Sequence, residues 1–346
     1  MRHLGYPEKI IRILENAYTD TFSAVRVGGD LSNWFKTIVG VLQGCVLSPL
    51  LFNIFLEVVI ALAMEGSNRG ALIGGQLIEN LRFADDIAML AENVADLQLS
   101  VDRLADSSRR MGMKINADKT ETQFLGKGDL SFQIQIEGQT LKQSENFIYL
   151  GGSISSTNGS EGDVTRRIGL ARGVFQDLNK IWVSKEISKV TKIQVYESLV
   201  VNTLLYNSET WTLKEDQKDR LRVLEMSFLR KIEGVTRYDR IRNTEIYARL
   251  HYHKDINQRI QQRRLRYFGH ICRMQNERYP KIAMEGYVHG QRSRGRPKKR
   301  WIDTVRDDCG KAGLNLPDAK RLAMDRARWR ILVDELPMRT DVSPRL

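Results

Sequence analysis

Cysteine is scarce in this chain, and the three present, Cys45, Cys272 and Cys309, show no CxxC spacing. Isolated thiols in odd number support neither a disulfide framework nor a zinc ribbon, and they fit a reducing compartment. An apolar leader is lacking too. The opening MRHLGYPEKIIRIL contains no signal-peptide core, and no apolar run of the roughly 20 residues needed to span a bilayer occurs anywhere. Neither secretion nor membrane spanning is expected, so the chain reads as soluble and intracellular. No internal repeat is visible. Acidic residues are in deficit: 42 Asp+Glu stand against 54 Lys+Arg, for a formal charge of +12. Such an excess favours polyanionic partners, nucleic acid first.

The excess is local. Between positions 263 and 300 the chain carries twelve Lys/Arg against Glu277 and Glu285, ten of the twelve net positive charges, so the rest is close to neutral. Any long-range pull on phosphates therefore resides in the C-terminal part. Within it, VHGQRSRGRPKKRW has no apolar periodicity and is expected as an exposed loop, with Arg292, Arg294, Arg296, Lys298, Lys299 and Arg300 as candidate nucleic-acid-binding residues. Its Arg-Gly-Arg-Pro core resembles an AT-hook. A nuclear localisation cluster and a loop that touches RNA phosphates fit equally well.

Over the 346 residues the apolar pattern predicts an α+β unit followed by a helical one. Pro7 precedes EKIIRILENAY, a helical stripe. TFSAVRVGGDLSNWF reads as a hairpin with Gly28-Gly29-Asp30 supplying the turn. LLFNIFLEVVIALAMEG is apolar enough for a buried helix, VADLQLSVDRLADSSRRMG an amphipathic one ending at Gly112, and MKINADKTETQFL and FQIQIEGQTL alternate like strands. SISSTNGSEG supplies a linker, and long amphipathic helices follow to about Leu336. Trp182, Trp211, Trp301 and Trp329 are expected as packing anchors of those helices. His270, Cys272, His289 and Cys309 lack zinc-ligand spacing.

LRFADDIAMLAE is the segment with chemistry. Two short apolar runs flank adjacent aspartates, which predicts strand, tight turn, strand. Adjacent carboxylates repel and raise one another's pKa unless something compensates. Solvation at an ordinary Asp-Asp turn is one answer. A pair of divalent cations is the other, and such a pair serves nucleotidyl transfer, which makes Asp85 and Asp86 candidate metal ligands.

The context decides between them. FADD between apolar strands resembles the catalytic hairpin of reverse transcriptases. GVLQGCVLSPLLFNIFLE resembles their QG…SPLLFN motif through Gln43, Gly44, Ser48, Pro49, Phe52 and Asn53. MGMKINADKTETQFL is similar to their G-h-x-h-N-x-x-K-T motif, and FIYLGGSI to the primer-grip hairpin. Four motifs in order cover about residues 1–155, and their wording is closest to LINE-type elements of the non-LTR retrotransposons.

The resemblance implies a partial right-hand palm, an antiparallel sheet with helices, over 1–155. It implies a helical thumb-like region over 156–250 and a basic C-terminal helical region over 251–346 with its Arg/Lys loop at 289–300. It also implies RNA-directed DNA synthesis by two-metal nucleotidyl transfer, with an RNA template, a DNA primer and Mg²⁺. Asp85, Asp86 and Lys119 would be catalytic. Gln43, Gly44 and Phe83 would lie beside nucleotide and template, and Tyr149, Leu150 and Gly151 would form the primer grip. One departure matters: the family holds its metals with three carboxylates, and the F-x-D box supplying the third would precede the helix that opens this chain. Asp20 and Asp30, the aspartates upstream of Gln43, fall in or beside a hairpin instead. Weak Mg²⁺ binding and no polymerisation by the chain alone are therefore expected. A non-catalytic nucleic-acid-binding protein or a decayed element copy are the alternatives.

Overall fold

The computed structural model describes residues 1–126, 130–156, 159–286 and 299–335. They form two compact units. The first comprises Met1–Ala71, Leu77–Thr120 and Gln133–Leu141, and the second Leu72–Gln76, Glu121–Phe132 and Lys142–Leu346.

The first unit mixes helix and strand. Its opening helix, Glu8–Tyr18, follows Pro7 as expected and buries Ile11. Phe22–Ser23 pairs with Phe35–Lys36 and Arg26–Val27 with Asp30–Leu31, so the predicted hairpin turns at Gly28-Gly29. The core is built on Ser48–Met64, whose Leu56, Val59, Ile60 and Ala63 meet Leu104 of the helix Val94–Arg110. That second helix starts where the Asn93 side chain accepts from Asp96 N, and Gly112 (φ 76°) lets the chain turn away after it. Gln98 on this helix hydrogen-bonds both the N–H and the C=O of Gln135, each at 2.8 Å, as a neighbouring strand would.

Two expectations are corrected here. Ser48–Met64 is not buried all round: Leu50 and Leu62 are exposed, because the helix finds partners on one face only among the described residues. The predicted antiparallel pairing is present, but among the described residues it forms small two-stranded sheets and not one layer. The described strands pair only two by two, and one ladder, Lys142–Gln143 with Glu121–Thr122, is parallel. The stretches MKINADKTETQFL and FQIQIEGQTL hold strands of just two residues, since Asn116 caps a 3₁₀ turn over Ala117–Lys119 instead of continuing extended.

The second unit is helical, apart from short ladders such as Asn146–Tyr149 with Gly152–Ser155. The segment read as a linker is thus partly strand; Thr157 and Asn158 lie outside the described residues. Glu161–Asp177 and Glu215–Glu233 are the long helices of the main core, where Phe175 stacks on Trp182 and Phe228 at centroid distances of 4.8 and 4.1 Å. Ile256–Cys272 continues into a second core with Trp301–Lys311, Leu316–Met324 and Arg326–Asp334. Trp182, Trp211 and Trp329 are buried, and Trp301 packs partly buried against the second core. Cys272 and Cys309 lie in that second core, and burial pushes the Cys309 thiol up to about 12. Such thiols are poor metal ligands and poor nucleophiles. Among the described residues no helix is long and apolar enough to cross a membrane.

Candidate active site

The adjacent aspartates stand at a hairpin turn, as their sequence context required. Asn80–Phe83 pairs antiparallel with Asp86–Met89, and Ala84-Asp85 forms a two-residue loop between Phe83 and Asp86. Ala84 has φ 51°, a left-handed conformation that glycine usually supplies in such loops. An L-residue there stores about 1–2 kcal/mol of strain. The hairpin holds this turn by anchoring its strands. Ile87 and Met89, two apart and therefore on one face, pack into the core of Ser48–Met64. Arg82 reaches Glu57 on that helix at 2.6 Å. Phe83, Asp85 and Asp86 are consequently exposed, the carboxylates at the tip and the aromatic ring beside them.

The Gln-Gly segment is a turn leading into the same helix. Ser48 Oγ donates to Leu42 O at 2.6 Å and lies 3.1 Å from Tyr18 Oη, which pins the loop at its exit. Gln43 and Gly44 remain exposed, and Gly44 has φ 84°, so no side chain stands between its backbone and an approaching ligand. Lys119 closes the 3₁₀ turn capped by Asn116. Its side chain is exposed and makes no ion pair among the described residues.

Mg²⁺ takes near-octahedral oxygen ligation and gives up water reluctantly. Asp85 and Asp86 offer two adjacent carboxylates, but among the described residues no cluster of three His, Cys, Asp or Glu could hold a metal. Glu57, the acidic side chain on the helix beneath, is taken by Arg82. Asp20 is paired with Lys36 at 2.6 Å. The residues present therefore do not make up a complete two-ion centre.

The YLG turn belongs to the second unit. Leu150 adopts φ 48° and Gly151 φ 77°. This strained turn is braced from the helices: Tyr206 Oη donates to Leu150 O at 2.7 Å, while Arg166 and Arg167 both donate to Gly151 O. The Arg167 guanidinium lies 4.3 Å from the Tyr206 ring centroid, and Asp163, buried beneath, accepts from Ser153 N at 3.1 Å. Sequence reading missed this brace; the i, i+4 spacing of Asp163 and Arg167 ahead of the apolar stripe was its visible trace. Tyr206→Phe is expected to lower stability by about 1 kcal/mol and to speed amide exchange over 149–153. Unchanged exchange there would show that the turn holds itself.

Of the expected basic loop, Arg292, Arg294, Arg296 and Lys298 lie outside the described residues. Lys299 is paired with Asp307, and Arg300 with Asp303 at 3.1 Å, which raises the Arg300 pKa.

The exposed carboxylate pair on its strained hairpin and the Gln-Gly turn are thus both carried by the first unit, on the helix Ser48–Met64. Residues 1–154 match the family described as reverse transcriptase (RNA-dependent DNA polymerase), and the chain is similar to proteins of non-LTR retrotransposons. The particular relatives are mobile-element proteins. A transposon-derived protein of Caenorhabditis elegans is 24% identical over 271 residues, which cover 75% of this chain and 97% of that protein. The Pol polyprotein of the type-2 retrotransposable element R2DM of Drosophila melanogaster is 30% identical over 158 residues, covering 44% of this chain and 14% of its own length. The RNA-directed DNA polymerase from transposon BS of the same fly is 26% identical over 287 residues, 78% of this chain and 30% of that one. The chain thus spans nearly all of the nematode protein but less than a third of either fly protein.

Proposed function

We propose that residues 1–155 supply the part of an RNA-directed DNA polymerase palm that carries the adjacent aspartates. Residues 156–250 then act as the thumb-like region and 251–346 as a basic nucleic-acid-binding region. The observation that carries the reading is the Asp85-Asp86 turn, exposed at the tip of a hairpin whose strands are locked to the core by Ile87, Met89 and the Arg82–Glu57 pair. A solvated surface turn needs no such anchoring. In this reading Gly44 lets the backbone approach the nucleotide, Gln43 and Phe83 flank it, and Lys119 offers a cation to its phosphates. Tyr149, Leu150 and Gly151 form the grip on a DNA primer, and the template is RNA. The basic loop adds a phosphate contact, and Mg²⁺ is the metal by family relationship.

Because two carboxylates do not complete the centre, the chain alone is not expected to extend a primer on an RNA template with Mg²⁺ or Mn²⁺. Joined behind an upstream palm segment that brings a third carboxylate, it is expected to incorporate nucleotides, with a loss of roughly 10³-fold or more in Asp85→Ala. Incorporation by the chain alone that Asp85→Ala abolishes would show the centre to be complete already. Incorporation by the joined form that survives Asp85→Ala would sink the assignment of the hairpin.

A further inference from the structure

The second unit contains a cleft of about 520 Å³ between the segment around Tyr196–Val201 and the helix Ile256–Cys272. Four cations line it, Lys254, Arg259, Arg263 and Arg266, against one lining carboxylate, Glu197. Glu197 is engaged by Arg259, and Asp334 is engaged by Arg266 at 2.5 Å. Arg263 is different. Its guanidinium donates to Leu205 O at 2.7 Å and to Asn202 Oδ1 at 3.1 Å, and no carboxylate pairs with it among the described residues. Two neutral acceptors orient this half-buried cation without neutralising it, and a guanidinium has five N–H groups to satisfy. Burial pulls its pKa down; Glu209 opposes this, and Arg266 and Arg259 add to it. A cation held at such a cost beside an open polar cleft is placed to receive an anion.

The opposite wall supports this. Tyr196–Val201 is a stretch of π-helix, and Glu197, Ser198, Val201 and Asn202 at the cleft come from it or adjoin it. Such turns are rare, and they recur at binding sites because they displace side chains from the regular helical positions. On the facing helix Arg259, Arg263 and Arg266 follow at i, i+4 and i+7, one face of the helix, over about 10 Å of its axis. That length exceeds a single phosphate group.

We propose that this cleft is a phosphodiester-binding site, seating a single-stranded nucleic acid backbone with one phosphate on Arg263 and the next toward Arg266. The choice of a strand over a free phosphate rests on the nucleic-acid reading above. Binding is assayed without polymerisation, so either idea can fail alone.

The test uses the full chain and a labelled single-stranded RNA oligonucleotide, titrated across a salt series. Arg263→Gln is expected to weaken binding about tenfold and to reduce the slope of log affinity against log salt by about 0.7, the loss of one phosphate contact. Should Arg263→Gln fail to fold, Arg266→Gln, at a more exposed position, carries the test with the same direction and a smaller effect, because Asp334 already engages that guanidinium. Arg12→Gln, on the exposed face of the first helix, controls for net charge. Affinity and slope unchanged in Arg263→Gln and Arg266→Gln, or lowered equally in Arg12→Gln, would overturn the proposal. Inorganic phosphate is titrated in parallel against the melting temperature. A rise that Arg263→Gln abolishes, with RNA affinity unchanged, would overturn the strand in favour of free phosphate.

Discussion

Asp163→Ala is expected to lower stability by about 3–5 kcal/mol, the loss typical of removing one partner from a buried charge pair. Asp163 is 2% exposed and Arg167 6%. The carboxylate accepts from Ser153 N through Oδ1 at 3.1 Å and from Trp211 Nε1 through Oδ2 at 2.7 Å, and Arg167 Nε lies 3.9 Å away. Alanine would strand a buried indole N–H, a backbone N–H and a guanidinium that has no other carboxylate partner among the described residues. Each orphaned donor adds its own desolvation penalty. Asp163→Asn should lie between the two, because its amide oxygen can still accept from Trp211 or Ser153 but returns no charge. Urea denaturation of the three proteins measures this. An Asp163→Ala midpoint within experimental error of the parent would mean that water takes over all three contacts. The functional corollary concerns the YLG turn, since the same network positions Arg167 on Gly151 O.

Glu225 predicts a pH dependence. It is fully buried; its Oε2 accepts from Tyr247 Oη and Ile256 N, both at 3.0 Å, and its Oε1 has no hydrogen-bond partner. Burial, opposed by those two bonds, raises its pKa from 4.5 to about 7. The folded chain therefore binds this proton more tightly than the unfolded chain does. The stabilisation is fully present below about pH 4.5 and is lost as pH rises to about 7, by about 3 kcal/mol in all. Glu225→Gln keeps an acceptor for Tyr247 and Ile256 and cannot ionise. It is expected to match the parent at pH 4.5 and to exceed it by up to about 3 kcal/mol at pH 8, where the parent carries a buried anion. Stability differences measured by urea denaturation across that range check this. A difference between the two proteins that stays constant with pH would show that Glu225 titrates at its ordinary value.

The fold was partly legible because its helices obey local rules. Pro7 opens a helix, Asn93 caps another, and the stripe Leu97, Val101 and Leu104 marks the face that meets the core. The hairpin at 80–89 was legible for a similar reason: alternation and a tight turn are written in adjacent residues. The extent of strand pairing was not. A strand's partner depends on hydrogen bonds to residues distant in sequence, so alternation in MKINADKTETQFL could not reveal that only Glu121–Thr122 pairs.

The site divides in the same way. Asp85, Asp86, Gln43, Gly44, Lys119 and the YLG turn were legible as candidates because contiguous motifs carry them. What holds them could not: Arg82 finds Glu57 from 25 residues away, and Tyr206 finds Leu150 from 56. The cleft around Arg263 was hidden for the same reason, since its cations read as one surface of a basic helix until a π-helical turn was set against them. By itself the sequence determined the adjacent carboxylates, the basic balance and most of the helices, all of which depend on neighbours within one or two turns. Only the tertiary structure decided which charges are neutralised, which turns are braced and which cations lack a carboxylate partner among the described residues, because those depend on partners that folding brings close from far along the chain.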